Sequence, residues 1–394
     1  MQEKLWNANF VKVNVANFML FFAFYLLTPL LPLYLSETFN ATKDVIGVVL
    51  SGYVVATLIS RPFSGYLVDS FPRKKVLMVC FFAFFIFFAG YLAAGSLLLF
   101  AIVRTLHGAP FGSLTVSNST VAIDVLHPSC RSEGIGYYGL SNNLAMATGP
   151  TVAVYLYNTV HDFDMLFWFA LVVAAIGFAV DATVKLPSRP VVREKKKLSL
   201  DRFFLVAGWL LFIDMTALGF SYGILSTYLA IYGKEALGVT NGTGTYFLIL
   251  AIGLILSRLQ GASSLRKGKI VHNASVGMLI SLVGYTIFVA VPNMWGYYGS
   301  ALLIGLGNGH IWPAFQNMFI NLATHDRRGT ANSTLLVSWD VGIGIGVVVG
   351  GFVAEHIGYT AAFWTAVAIN LVGVAHFFAA GRRHYYRNRI ADEG

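Results

Sequence analysis

The sequence predicts an all-α integral membrane protein, with twelve transmembrane helices in two pseudo-symmetric six-helix bundles. Three observations carry that expectation. Hydrophobic residues make up 57% of the chain and charged residues only 11%, with a mean hydropathy of +0.68. A water-facing surface would need about 25% charged residues. Apolar stretches of roughly 20 residues recur, each long enough to cross about 30 Å of hydrocarbon. Finally, the two halves answer each other at a constant offset of 197: Arg61 with Arg258, Gly108 with Gly305, Gly112 with Gly309, Arg131 with Arg328, Asn143 with Asp340, and Gly149 with Gly346.

The first six spans fall near 13–35, 45–68, 76–95, 97–121, 134–156 and 165–184. The second six fall near 203–230, 244–262, 270–290, 295–322, 330–354 and 361–380. Between the sets lies the one long polar connection, 186–202, with Pro187, Pro190 and the run Arg193-Glu194-Lys195-Lys196-Lys197. It is read as a cytoplasmic linker between an N-terminal bundle, 1–185, and a C-terminal bundle with its tail, 203–394.

Orientation follows from the cations. With the N-terminus inside, 22 of the 27 Lys and Arg fall in cytoplasmic segments, while outside loops hold only Lys43 and Lys234. Positive residues favour the inner side, so both termini are expected in the cytoplasm of a bacterial cell, with the chain in its inner membrane. The run at Lys195–Lys197 and the pair Arg382-Arg383 are read as topology signals rather than lipid-recognition elements. The net charge of +9 sits in short loops and forms no stripe on a folded domain, which argues against a nucleic-acid partner. Cys80 and Cys130 fall in or near the inner side, where a structural disulfide is not expected. The first apolar segment lacks a small-residue cleavage site and reads as a retained helix.

A parallel internal repeat in an apolar chain points to a transporter with a substrate site between equivalent bundles. After span two the chain reads Arg61-Pro62-Phe63-Ser64-Gly65-Tyr66-Leu67-Val68-Asp69-Ser70-Phe71-Pro72-Arg73-Lys74-Lys75. Gly65 would let two helices approach closely. Asp69, a carboxylate at the membrane boundary, can cap a neighbouring helix N-terminus or pair with a cation such as Arg73, latching one conformation. The second half has a worn copy, Arg258, Gly261 and Arg266-Lys267-Gly268-Lys269, without the Asp.

These segments resemble the signature loop of the major facilitator superfamily. Ser70 stands where the family has a basic residue, and Pro72 where it has a turn Gly. Arg104-Thr105-Leu106-His107-Gly108-Ala109-Pro110-Phe111-Gly112 resembles the family's fourth-helix motif. Gly149-Pro150 resembles the end of the antiporter branch's fifth-helix motif, although Ala145 replaces one glycine and Val152-Ala153 the terminal pair. Thr28-Pro29-Leu30-Leu31-Pro32, Trp312-Pro313-Ala314 and Arg328-Gly329-Thr330-Ala331-Asn332 extend the likeness over the chain. It is strongest to the arabinose-efflux-permease-like and drug:proton antiporter branches, and it implies the major facilitator fold and secondary transport by alternating access.

Arg104, expensive within a span, should face a polar cavity or a partner, and His107 lies one helical turn away. Gly108 and Gly112 form a small-residue packing face, and Gly149-Pro150 permits a bend. No phosphate-binding Gly-x-x-x-x-Gly-Lys loop appears, so ion coupling is expected in place of direct ATP use, with no cofactor and no metal. The titratable candidates for carrying a proton are Asp214, Asp340, His310 and His107. Candidates for a cavity are Asn17, Arg104, Asn142, Asn143, Tyr222, Gln316 and Trp339. Asp124, Asp181 and Glu355 fall near span ends and are expected at interfaces.

The leading expectation is proton-coupled efflux of small organic molecules, such as a drug, a sugar or a metal-chelating metabolite, by a monomer in the lipid bilayer. An importer of a sugar or organic anion, with Arg104 pairing the cargo, is the rival of the same fold. A non-transporting receptor or scaffold is the rival of another class. No nucleophile–base arrangement suggests an enzyme.

Overall fold

The computed structural model describes residues 5–41, 43–186, 202–239 and 242–390. The linker run Arg193–Lys197, on which the predicted boundary between the halves rests, lies outside them. The helices of the first half are α1 (Ala8–Leu27), α2 (Leu31–Phe39), α3 (Lys43–Ser70), α4 (Arg73–Leu92), α5 (Leu97–Asp124), α6 (Arg131–Val160) and α7 (Phe163–Ala182). The second half has α8 (Trp209–Leu237), α9 (Thr243–Arg266), α10 (Ile270–Ala290), α11 (Met294–Asn321), α12 (Arg328–His356), α13 (Tyr359–His376) and α14 (Arg382–Asn388). They make twelve spans, the first built of α1 and α2, the last of α13 and α14 joined through a π-helical turn, Phe377–Gly381.

The first span was expected to be continuous, but it breaks at Thr28–Leu30. Pro29 and Pro32 lack amide donors, and a proline ring clashes with the carbonyl four residues before it. Among the described residues, nine stretches meet the length and hydropathy of a membrane crossing. The three spans left over, α6, α9 and α11, contain Asn142 and Asn143, Arg258, and His310 and Gln316. Such polar groups belong in a packed interior rather than against lipid.

By contacts, the chain divides into two compact units. Unit 1 holds residues 1–134, 141–203 and 327–333; unit 2 holds 135–140, 204–326 and 334–394. Unit 1 thus includes the start of α12, whose body belongs to unit 2, and unit 2 includes 135–140 of α6, whose remainder belongs to unit 1. In unit 1, α3 packs on α5, α1 on α7, and α4 on both α5 and α7. Unit 2 repeats these pairings with α9 on α11, α8 on α13, and α10 on both α11 and α13.

The repeat reaches single atoms. A Cβ on Gly108 would run into the Tyr53 carbonyl, and one on Gly305 into the carbonyl of Leu250, which is Tyr53 shifted by 197. Gly112 faces Ser60 and Thr57 as Gly309 faces Ser257 and Leu254, again at that offset. Only glycine permits this approach of two helix backbones. Ser96 caps α5 by accepting from Leu99 N at 3.3 Å, and its repeat partner Asn293 caps α11 by accepting from Gly296 N at 3.0 Å.

Candidate functional site

In unit 1 the Asp69 carboxylate, near the end of α3, caps the first turn of α12. It accepts from Gly329 N, Thr330 N and Thr330 Oγ1, each at 2.8 Å. The first amides of a helix have no intrahelical partner and favour negative charge, so Asp69 fits that end chemically. Arg73, one helical turn on, lies 3.5 Å from Asp69 and also pairs with Asp124. Arg328 reaches Asp124 from the other side at 3.3 Å. Asp124, expected at an interface, is therefore enclosed by two arginines, while Glu355 is exposed as expected. Gly65 lies against the same turn: a Cβ there would sit 2.9 Å from Thr330 Cα. Arg61 is buried, and its carbonyl accepts from Ser333 Oγ at 2.6 Å.

Arg104 is buried rather than reaching the outer interface. Its guanidinium carbon lies 3.9 Å from the Tyr53 ring centroid, and Nη1 donates to Tyr91 Oη at 3.0 Å. Among the described residues it has no carboxylate partner. His107 Nδ1 shares the same tyrosine hydroxyl at 2.7 Å and is caged by Tyr53, Phe84, Phe87 and Phe88. That cage encloses His107 against Tyr91, which also accepts from Arg104. Nearby, Phe24 stacks on Phe111 at 4.7 Å and on Tyr53 at 5.6 Å.

Asn17 is fully buried, donating to Ser141 Oγ at 2.7 Å and accepting from Asn118 Nδ2 at 3.2 Å. Asn142 Oδ1 and Asn143 Nδ2 have no hydrogen-bond partner among the described residues, although both atoms are shielded. Gly149, just before Pro150, lies against Tyr25, where a Cβ would sit 2.9 Å from Tyr25 Cβ. Asp181, also expected at an interface, is fully buried, and among the described residues neither carboxylate oxygen has a hydrogen-bond partner. Lys74 is drawn to the same spot, donating to the carbonyls of Asp181 and Val184.

In unit 2 Asp214 is fully buried on α8. Its Oδ1 lies 2.6 Å from Nδ1 of His376, the last residue of α13, whose side chain is 27% exposed. Oδ2 has no hydrogen-bond partner among the described residues and lies against Gly381, which closes the π turn; a side chain there would collide with the carboxylate. Single π turns are frequent at functional sites. Asp214 corresponds to Asn17 at the offset of 197, so both repeats bury a polar group here and only the second can ionise.

Asp340 is half-buried beside Trp339 on α12. Trp339 forms an aromatic cluster with Tyr222 at 5.3 Å and Trp312 at 5.5 Å, and Gln316 is buried one turn beyond Trp312. His310 Nδ1 bonds Asn273 Oδ1 at 2.8 Å, while Asn273 Nδ2 donates back to the His310 carbonyl at 3.1 Å. Arg258 is buried and donates to the Gly309 carbonyl at 2.9 Å. His310 and Arg258 therefore sit in a network that ties α9, α10 and α11 together. No group of three or more His, Cys, Asp or Glu among the described residues is placed to hold a metal ion.

His376, Trp312, Tyr53 and Tyr91 were missing from the sequence-based candidates. Trp312 was visible in its motif with Pro313, and the other three acquire partners only through tertiary packing.

The comparisons with known proteins agree with this architecture. The Major Facilitator Superfamily model matches residues 13–274 and 273–393. The chain is 25% identical over 368 residues to the staphylopine export protein of Staphylococcus aureus, covering 89% of this chain and 90% of that one. It is 21% identical over 371 residues to the quinolone resistance protein NorA of the same species, covering 91% and 92%. The crystal structure of the human organic anion transporter MFSD10 superposes with a TM-score of 0.80 at 17% identity, covering 94% of this chain and 98% of that one. Repeated six-span halves, the Asp69 cap on α12 and a family match over nearly the whole length lead to one conclusion: this multi-pass membrane protein belongs to the Major Facilitator Superfamily of transporters, which are not enzymes.

Proposed function

We propose that the protein exports small organic molecules from a bacterial cytoplasm in exchange for protons. It would act as a monomer in the inner membrane, with both termini inside. The observation that carries the coupling is the Asp214–His376 pair, with the carboxylate fully buried and the imidazole partly open. One proton makes the pair neutral, and its loss leaves a buried negative charge that must be compensated. Such a pair alternates between two charge states when a transporter alternates between two accesses. His376, the more open member, passes the proton; Asp214 holds it.

Export is supported by two relatives, a staphylopine export protein and a quinolone resistance protein. The aromatic clusters at Tyr222, Trp312 and Trp339 and at Phe24, Tyr53 and Phe111 suit a cargo with flat apolar surface. Arg104, a buried cation whose partners among the described residues are aromatic side chains, favours a cargo with an anionic group.

A melting screen of the purified protein against quinolones, sugars and chelating amino-carboxylates identifies the class, since a ligand of the folded state raises its apparent stability. The best compound is then offered in labelled form to everted membrane vesicles. Acid-inside vesicles are expected to accumulate it. Accumulation indifferent to the pH gradient would refute the coupling, and uptake only into right-side-out vesicles would make the protein an importer.

A further inference from the structure

Where α10 begins and α14 follows the π turn, unit 2 carries a cavity of about 420 Å³. Its walls are His272 and Ser275 on α10 and Arg382, Arg383 and Tyr386 on α14, over an apolar floor of Val271 and Phe378. Tyr386 lies four residues after Arg382 and three after Arg383, so it neighbours both on the helix surface. Arg382 lies over the Phe378 ring at 5.2 Å, and neither guanidinium has a carboxylate partner among the described residues. Two unpaired guanidinium groups with hydroxyl and imidazole groups around them form a site for a phosphate group.

The surroundings decide which kind of phosphate. On α10 the stripe through His272 and Ser275 continues at helical spacing into Leu279 and Val283, 47% and 50% exposed. From Arg382 on α14 and Phe378 in the π turn, a stripe runs back onto α13 through Ala375 to Leu371, 53% exposed. Helices α10 and α13 pack against each other, and exposed apolar residues continue from the basic cavity along both as a seam. At 1.5 Å per residue that seam runs roughly 6–15 Å from the cavity. A free phosphate uses only the basic end. An amphiphile uses both.

We propose that this groove binds an anionic phospholipid, its phosphate between Arg382 and Arg383 and an acyl chain along the α10–α13 seam. Basic pockets between membrane helices hold lipid headgroups in this way. The pair Arg382-Arg383 then does more than set orientation. The same five-residue π turn that presents these arginines places Gly381 against Asp214, so the bound lipid and the acid share one structural element.

Native mass spectrometry of the full chain released from detergent tests this with phosphatidylglycerol and phosphatidylcholine of matched chains. Phosphatidylglycerol is expected to bind at least about tenfold tighter. The double variant Arg382→Ala/Arg383→Ala should lose that preference. Lys267→Ala/Arg387→Ala, which removes the same charge outside the groove, should keep it. Ser275→Leu fills the groove without changing charge and should also lose the preference, which covers an arginine variant that folds poorly. Glycerol 3-phosphate, the headgroup without chains, should not compete. Equal binding of the two lipids, equal loss in the control pair, or full competition by glycerol 3-phosphate would each overturn the lipid site.

Discussion

Asp214→Asn is expected to abolish gradient-driven transport and to leave counterflow intact. One pH unit stores about 1.4 kcal/mol per proton, enough for about a tenfold accumulation of cargo in reconstituted vesicles. An Asn side chain still accepts a hydrogen bond from His376, so the α8–α13 junction keeps its packing. It cannot take up a proton, so the accumulation ratio should fall to about one whatever the pH gradient. Counterflow needs only alternating access to the cargo and should continue. Its loss in parallel with accumulation would show that the variant is merely inactive. Wild-type accumulation would remove Asp214 from the coupling path.

The second large effect concerns the cap on α12. Asp69→Ala removes an ionised acceptor from two helix-end amides and from the Thr330 hydroxyl at one stroke. Hydrogen bonds to charged groups are worth about 1.5–3 kcal/mol, and a shielded donor left without a partner adds its own desolvation cost. Losing even about 1.4 kcal/mol of local protection is a tenfold change in the opening equilibrium. Amide hydrogen exchange at Gly329 and Thr330 should therefore speed up at least about tenfold, while the buried middle of α12 is unchanged. Asp69→Asn should fall between, since it keeps an acceptor and loses the charge that suits a helix N-terminus. Unchanged exchange at those two amides in Asp69→Ala would show that the cap carries no weight in solution.

The positions of the helices were legible because lipid imposes a simple rule: roughly twenty apolar residues per crossing. The packing was legible through the offset of 197, which pairs Gly108 with Gly305 and holds down to the carbonyls those glycines meet. The same offset pairs Asn17 with Asp214, and both prove fully buried. Side-chain partnerships were less accessible. His376 and Asp214 are 162 residues apart, and they meet only because α13 packs on α8 and a π turn shifts the register after it. Nothing in the local sequence announces that turn. Asp124 and Asp181 were assigned to interfaces from their places near span ends, yet one is clasped by Arg73 and Arg328 and the other is fully enclosed. Depth along a helix is written in sequence position; the direction a side chain faces, and what it meets there, is set by the neighbouring helices.

The central claim is that the buried Asp214–His376 pair gives up its proton when cargo is taken up. The direct measurement is proton release from the purified protein in weakly buffered detergent, read with a pH-sensitive dye as the melting-screen ligand is added. The pair shares one proton, so wild type should release about one proton per cargo bound. Asp214→Asn should bind the same ligand and release none. Equal release from wild type and Asp214→Asn, with binding confirmed in both, would contradict the account.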